Sequence, residues 1–376
     1  MGTLRTIFAI AVVLAHVWPG GPVFVGGQNA VQLFYIISGF LISFILVERK
    51  SYPSVRSFYV NRYLRLYPIY LVVAAISLCT RGSDFFEVYK AAPPSADALL
   101  IFSNASLVGQ DWIMFSAVKG HSLIFTTDFW KSDVVLFPGL LVMPAWTLGV
   151  ELSFYAVAPF ILPRRKVIYI LLTASVLLRG YLVLIGIGLK DPWTYRFFPN
   201  EIALFLLGAL AHQILLPAYL KHMGKAERWL PEAATAFMVV MSVEYFEIPG
   251  LESVKRLFLF TAFIALLPFT FLFSQRNRID RWIGDLSYPV YLVQLLAIHL
   301  VQYLTFGIDL LDFHYMVSLN SVITSILFAI LLNKLISDPL EKLRERFRSD
   351  RRPRYDPRPM PISEPISPPH PLAERA

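Results

Sequence analysis

Apolar and polar positions fall along this chain in long blocks. Ten apolar runs lie at roughly residues 2–18, 29–47, 60–80, 144–162, 167–189, 200–217, 230–247, 255–273, 285–305 and 315–336, separated by polar connections. A helix needs about 20 apolar residues to cross a hydrocarbon core of about 30 Å, so the pattern predicts an all-α, polytopic membrane protein of about ten transmembrane helices. Arg49, Lys50, Arg56, Arg62 and Arg65 follow the second run, and Arg164, Arg165 and Lys166 the fourth. Lys221, Lys225 and Arg228 follow the sixth, Arg276, Arg278 and Arg281 the eighth, and Lys342, Arg344, Arg346 and Arg348 the tenth. Every second connection is basic, which places those connections and both termini in the cytoplasm.

Two segments break the alternation. Residues 81–143 form a long non-cytoplasmic excursion with a weakly apolar piece, Ala98 to Leu107, and a Trp/Phe/Asp-rich piece, Gln110 to Asp133. These are expected as re-entrant or interfacial elements that could roof a cavity, or as loose loop. Asn104-Ala-Ser106 fits a glycosylation sequon, a pattern common by chance. Residues 346–376 are expected to be a disordered cytoplasmic tail, because from Ser349 onward the chain is basic with eight prolines and cannot bury a core. The remaining 1–345 reads as one transmembrane domain. No leader peptide is expected, since the first run lacks a small-residue cleavage site and a second run follows at once.

Composition supports the membrane assignment: 56% of residues are hydrophobic and 16% charged, where soluble domains carry about 25% charge. The net charge of +8 lies in the connections between runs, as topology signals do, so no nucleic-acid partner is indicated. Cys79 is the only cysteine, and the seven histidines show no metal-ligand spacing, so no metal is expected. Walker A, GxGxxG and GxSxG patterns are missing as well.

The candidate chemistry lies in the few polar residues at membrane depth. Arg5 and His16 are eleven residues apart, which places them on one helix face within about 20° and about 16 Å apart along the axis. Either they line an interior pathway, or Arg5 anchors one interface while His16 is wetted at the other. Ser38-Gly39 in the second run fits either a close backbone approach or helix packing. Arg62 and Arg65, at i and i+3, put two guanidinium forks on one face, suited to a phosphate-bearing ligand or to membrane anchoring. Glu151, in the outer half of the fourth run with Tyr155 one turn on, must be paired, protonated or wet. His16 could pair with it, orienting the imidazole, or Arg179 near mid-membrane could. Glu201 is explicable as an N-terminal helix charge, and His212, His222, His299 and His314 as interfacial histidines.

These landmarks together resemble the membrane acyltransferase-3 family. The likeness rests on Arg5 with His16, VQLFYIISGFLIS at 31–43, Phe58-x3-Arg62-x2-Arg65-x2-Pro68-x-Tyr70, PAWTLGVELSFYAVAP at 144–159, ALFLLGALA at 203–211, LSYPVYLVQ at 286–294, and Asp338-Pro339-Leu340-Glu341. It implies transfer of an acyl group, commonly acetyl, from acetyl-CoA or another acyl-CoA to a hydroxyl of a saccharide or lipid-linked glycan. It further implies a multi-pass protein of a bacterial-type inner membrane, in contact with membrane lipid. His16 would be catalytic, Arg5 essential, and Arg62 with Arg65 part of the donor site; Glu151, from its own position in the fourth run, is the third catalytic candidate. Ser38, Gly39, Trp146, Tyr155, Arg179, Ser287 and Tyr288 are the candidates for the substrate pocket. Asn61 stands where many members carry a second adjacent Arg, and Gln294 replaces a frequent His. No extracytoplasmic hydrolase-like domain is expected after the tenth run. His16 could act as general base or accept the acyl group itself. A transporter or flippase of a glycolipid or small anion, and a receptor-like scaffold, are the rival readings from the residues alone.

Overall fold

The computed structural model describes residues 1–18, 21, 23–80, 82–224, 228–305 and 313–348. Each of the ten apolar runs contains a helix. Among the described residues, seven helical segments are long and apolar enough to cross a membrane, and together they make a multi-pass membrane protein. These are α2 (Gly27–Ser43, continued by a π turn at Phe44–Glu48), α3 (Val55–Thr80), α7 (Arg165–Leu184) and α8 (Phe198–Leu210, continued by a π turn at Ala211–Leu215 and α9, Leu216–His222). With them belong α11 (Glu252–Arg276), α12 (Arg278–Leu304) and α13 (Phe313–Leu332, followed by a π turn at Asn333–Ser337 and α14, Asp338–Glu345). The other three runs give shorter helices: α1 (Gly2–Val17) and α6 (Trp146–Ile161) have 16 residues each, and α10 (Leu230–Val243) has 14. At about 1.5 Å per residue these fall short of about 30 Å. Most of the expected tail, from residue 349 on, and Lys225 lie outside the described residues.

Two glycine contacts set the closest helix approaches. A Cβ on Gly39 of α2 would lie 1.9 Å from the Phe205 carbonyl oxygen of α8, and one on Gly208 would lie 1.9 Å from the Ile36 carbonyl oxygen. Gly2 and Gly284 bring α1 and α12 together in the same way, with a Gly284 Cβ 2.6 Å from Gly2 Cα. Small residues serve this purpose where lipid supplies no hydrophobic drive between helices. Asp280 caps the start of α1, accepting from the Gly2 and Thr3 amides at 2.8 Å each and from Thr3 Oγ1 at 2.7 Å. Pro289 removes the donor for the Asp285 carbonyl one turn earlier, and Asn333 Nδ2 in the π turn supplies a replacement at 3.0 Å. Arg165 on Gln213, Glu48 on His212 and Asn61 on the Arg344 carbonyl gather the remaining helix ends, so the basic connections share one end of the bundle.

Residues 82–143 form a folded cap. It holds α4 (Ser83–Ala91), α5 (Pro94–Ser106) and a hairpin of β1 (Ser116–Lys119) and β2 (Ser122–Phe125), the only β-sheet among the described residues. The weakly apolar piece is α5, started by Pro94 in its first turn. Asn104 pins the cap: its Oδ1 accepts from the Leu141 amide at 2.9 Å, and its Nδ2 donates to the Gly139 carbonyl at 2.9 Å and to Tyr89 at 3.0 Å. With both ends of its amide engaged and its side chain buried, Asn104 offers nothing to a glycosyl transferase in the folded chain.

Candidate active site

A cavity lies between α1, α2, α3, α6 and α12. Eight of the residues singled out in the sequence line it: Arg5, Ser38, Arg62, Arg65, Glu151, Tyr155, Ser287 and Tyr288. Glu151 is the one carboxylate among the lining residues, and both hydroxyl groups facing it donate to its Oε1, Ser38 Oγ at 2.7 Å and Tyr155 OH at 2.5 Å. The partner of Glu151 is therefore neither His16 nor Arg179. Three guanidinium groups border the same space. Arg62 is buried; its Nη2 donates to Tyr52 OH at 2.7 Å, while its Nε has no hydrogen-bond partner. Among the described residues the Arg5 and Arg65 side chains make no ion pair and no hydrogen bond. Three cations against one carboxylate leave the cavity short of negative charge. Such a space suits an anionic ligand able to take guanidinium forks.

His16 does not line this cavity. Its ring sits accessible near the opposite end of α1, beyond Phe34 and Tyr291, which wall the cavity and stack edge-on at 6.3 Å. Nδ1 lies 2.8 Å from the Val12 carbonyl. A carbonyl only accepts, so Nδ1 carries the proton and a neutral ring presents its lone pair on Nε2. Gln294 and Arg196 are its polar neighbours. The Gln294 carboxamide is fully buried, donates through Nε2 to the Tyr291 carbonyl at 2.9 Å, and leaves Oε1 without a partner. Arg196 is held by Asp191 at 2.6 Å and lies 4.2 Å over the Trp146 ring. A base-competent imidazole at one level and an arginine-lined cavity at the other thus share α1.

A sequence profile described as an acyltransferase domain matches residues 2–337, nearly the whole described chain. The chain belongs to the membrane acyltransferase-3 family. It is a membrane acyltransferase, and its family implies a lipid environment and an acceptor substrate. No curated protein and no solved structure matches it.

Within this acyltransferase several singled-out residues serve the scaffold. Gly39 packs against the Phe205 backbone, and Trp146 is buried under Arg196 and Tyr195. Arg179 reaches Glu201 at 2.6 Å, and Glu201, fully buried, also accepts from Gln32 at 2.9 Å. Glu201 is thus an internal partner, beyond the helix-end charge its position suggested. His212 is buried as well, between Ser43 Oγ at 3.0 Å and Glu48 at 2.9 Å, where two π turns meet. The structure also adds residues that the sequence did not single out. Tyr35 lines the cavity with a buried hydroxyl that has no partner. Asp111, in the cap, is buried against Gly149 of α6 with Oδ1 unpaired, and burial pushes its carboxyl up to about 7. An unremarkable Tyr, Gln or Asp in an aromatic, mixed background gives no signal until the tertiary fold isolates it.

Proposed function

We propose that this acyltransferase moves an acyl group, acetyl in the simplest case, from acyl-CoA to a hydroxyl of a saccharide or lipid-linked glycan. The observation that supports it best is the cluster of Arg5, Arg62 Nε and Arg65, without ion-pair partners, around a cavity on the basic side of His16. On this reading the basic end faces the cytoplasm, as in a bacterial-type inner membrane, and the donor enters there. Arg62 and Arg65 hold its anionic part, Arg5 lies along its arm, and the thioester reaches His16. His16 Nε2 takes the proton of the acceptor hydroxyl as that oxygen attacks the thioester carbonyl. The C–S bond breaks, the ester forms, and the proton passes to the departing CoA thiolate. On this reading the unpartnered Gln294 Oε1, a polar neighbour of the ring, accepts from the imidazolium and steadies it.

The test uses purified protein in proteoliposomes with acetyl-CoA and envelope glycan. Release of free CoA, matched by an added acetyl mass on the glycan, is the expected result. Glycan movement across the bilayer without CoA release would instead establish the flippase reading.

A further inference from the structure

A second recess opens at the basic end between α3, α12 and the segment running from the 333–337 π turn through α14. Arg65 and Tyr288 wall both this groove and the central cavity, so the two spaces adjoin. The groove carries Lys334, Arg344 and Arg348 in addition to Arg65. Its acids are Asp285, Asp338 and Glu341, and Glu341 is shared, with Arg348 at 2.8 Å and with Arg344 Nη1. That leaves cationic hydrogen-bond capacity unspent. Arg344 is 8% exposed, yet its Nε has no partner. Lys334 and Arg65 make no ion pair among the described residues. Arg344 is itself fixed through its carbonyl, which accepts from Asn61 Nδ2 at 2.9 Å. Asn61 thus anchors a cation from 283 residues away, at a position where the family resemblance implied an arginine of its own.

We propose that this groove, with Arg344 and Lys334 as its new cationic contacts, is the seat of the phosphorylated nucleotide end of the donor. The pantetheine arm then passes Arg65 and Tyr288 into the central cavity. The proposal rests on the acyl-CoA reading above. A buried guanidinium Nε lacking an acceptor, beside a free Arg and a free Lys, is what a phosphate-bearing ligand completes. The space suffices: about 620 Å³ lies within the roughly 300–1,000 Å³ typical of small-molecule sites. An anionic lipid headgroup offers the same phosphate chemistry, and the experiment separates the two sources.

The full chain is reconstituted in nanodiscs of zwitterionic lipid, with and without phosphatidylglycerol. Binding of CoA, pantetheine and adenosine 3′,5′-bisphosphate is compared for wild type, Arg344→Gln and Lys334→Gln. Wild type is expected to bind CoA more tightly than pantetheine and to bind the bisphosphate. Each variant should lose about tenfold or more for CoA and the bisphosphate. Pantetheine binding should be unchanged, which also certifies that the variants are folded. If both variants bind CoA as wild type does while wild type still releases CoA on transfer, the groove assignment falls and the acyltransferase reading stands. If wild type neither binds nor consumes acyl-CoA, both fall. A variant effect that appears only with phosphatidylglycerol present makes the groove a lipid seat and overturns the nucleotide assignment.

Discussion

Asp111 offers the most direct check on how the cap and the catalytic bundle are joined. Its carboxyl is 3% exposed, and Oδ1 sits so close to α6 that a Cβ on Gly149, two residues before Glu151, would lie 2.4 Å away. No donor satisfies that oxygen, and burial raises the pKa from 3.8 to about 7. The folded chain therefore holds a proton that the unfolded chain releases between about pH 4 and 7. Stability from this group is full below the unfolded pKa and is lost as pH rises through the folded one. Three pKa units at 1.36 kcal/mol each make the loss about 4 kcal/mol. Asp111→Asn keeps the shape without the titration. The apparent melting temperatures of wild type and Asp111→Asn in nanodiscs should coincide near pH 4, with the variant increasingly the more stable up to about pH 7 and the difference constant above it. Parallel pH profiles would falsify the idea that this carboxyl is buried without a partner.

His16→Gln should lower transfer by roughly 10²–10⁴-fold while CoA binding is unchanged, and a variant that retains turnover in purified form removes His16 from the chemistry. Gly39→Ala drives a methyl into the Phe205 carbonyl and is expected to cost about 1–3 kcal/mol, read as a lower unfolding midpoint; a neutral result contradicts the close α2–α8 approach. Arg179→Met leaves the fully buried Glu201 with Gln32 alone and should cost about 1–3 kcal/mol, much of it recovered by adding Glu201→Gln. No recovery in the double variant means that the two side chains do not depend on each other.

Charge at membrane depth was the legible part of the site. Arg5, Arg62, Arg65 and Glu151 are conspicuous in an apolar sequence because each is costly there, and the fold resolves that cost by facing them into one cavity. The helices were legible too, since the apolar runs are long and every second connection between them is basic. Pairings were not legible. Gln32 and Glu201 are 169 residues apart, and Asn61 and Arg344 are 283 apart, so only helix packing decides that they meet. The cap was hidden by its weak hydropathy: hydrogen bonds of Asn104, Tyr70 and Gln110 hold α5, and Ser132 and Asp133 hold the hairpin, which leaves no periodic trace. Arg344 looked like one more topology signal because its neighbours Lys342, Arg346 and Arg348 are the same kind of residue; burial alone distinguishes it.

The separation of Arg5 from His16 bears on what sort of donor the proposed reaction can use. Eleven residues of helix put about 16 Å between the two levels. A compact activated acyl group, such as an acyl phosphate held at the level of Arg5, would leave its carbonyl far from the His16 ring. A pantetheine arm, counted bond by bond in extended form, spans roughly 15–20 Å. It can keep its phosphate on the arginines while its thioester passes Phe34 and Tyr291 to Nε2. The phosphate grip and the imidazole are then matched by the length of the donor that joins them. On the proposed reading, α1 fixes that distance more rigidly than two independently packed helices would.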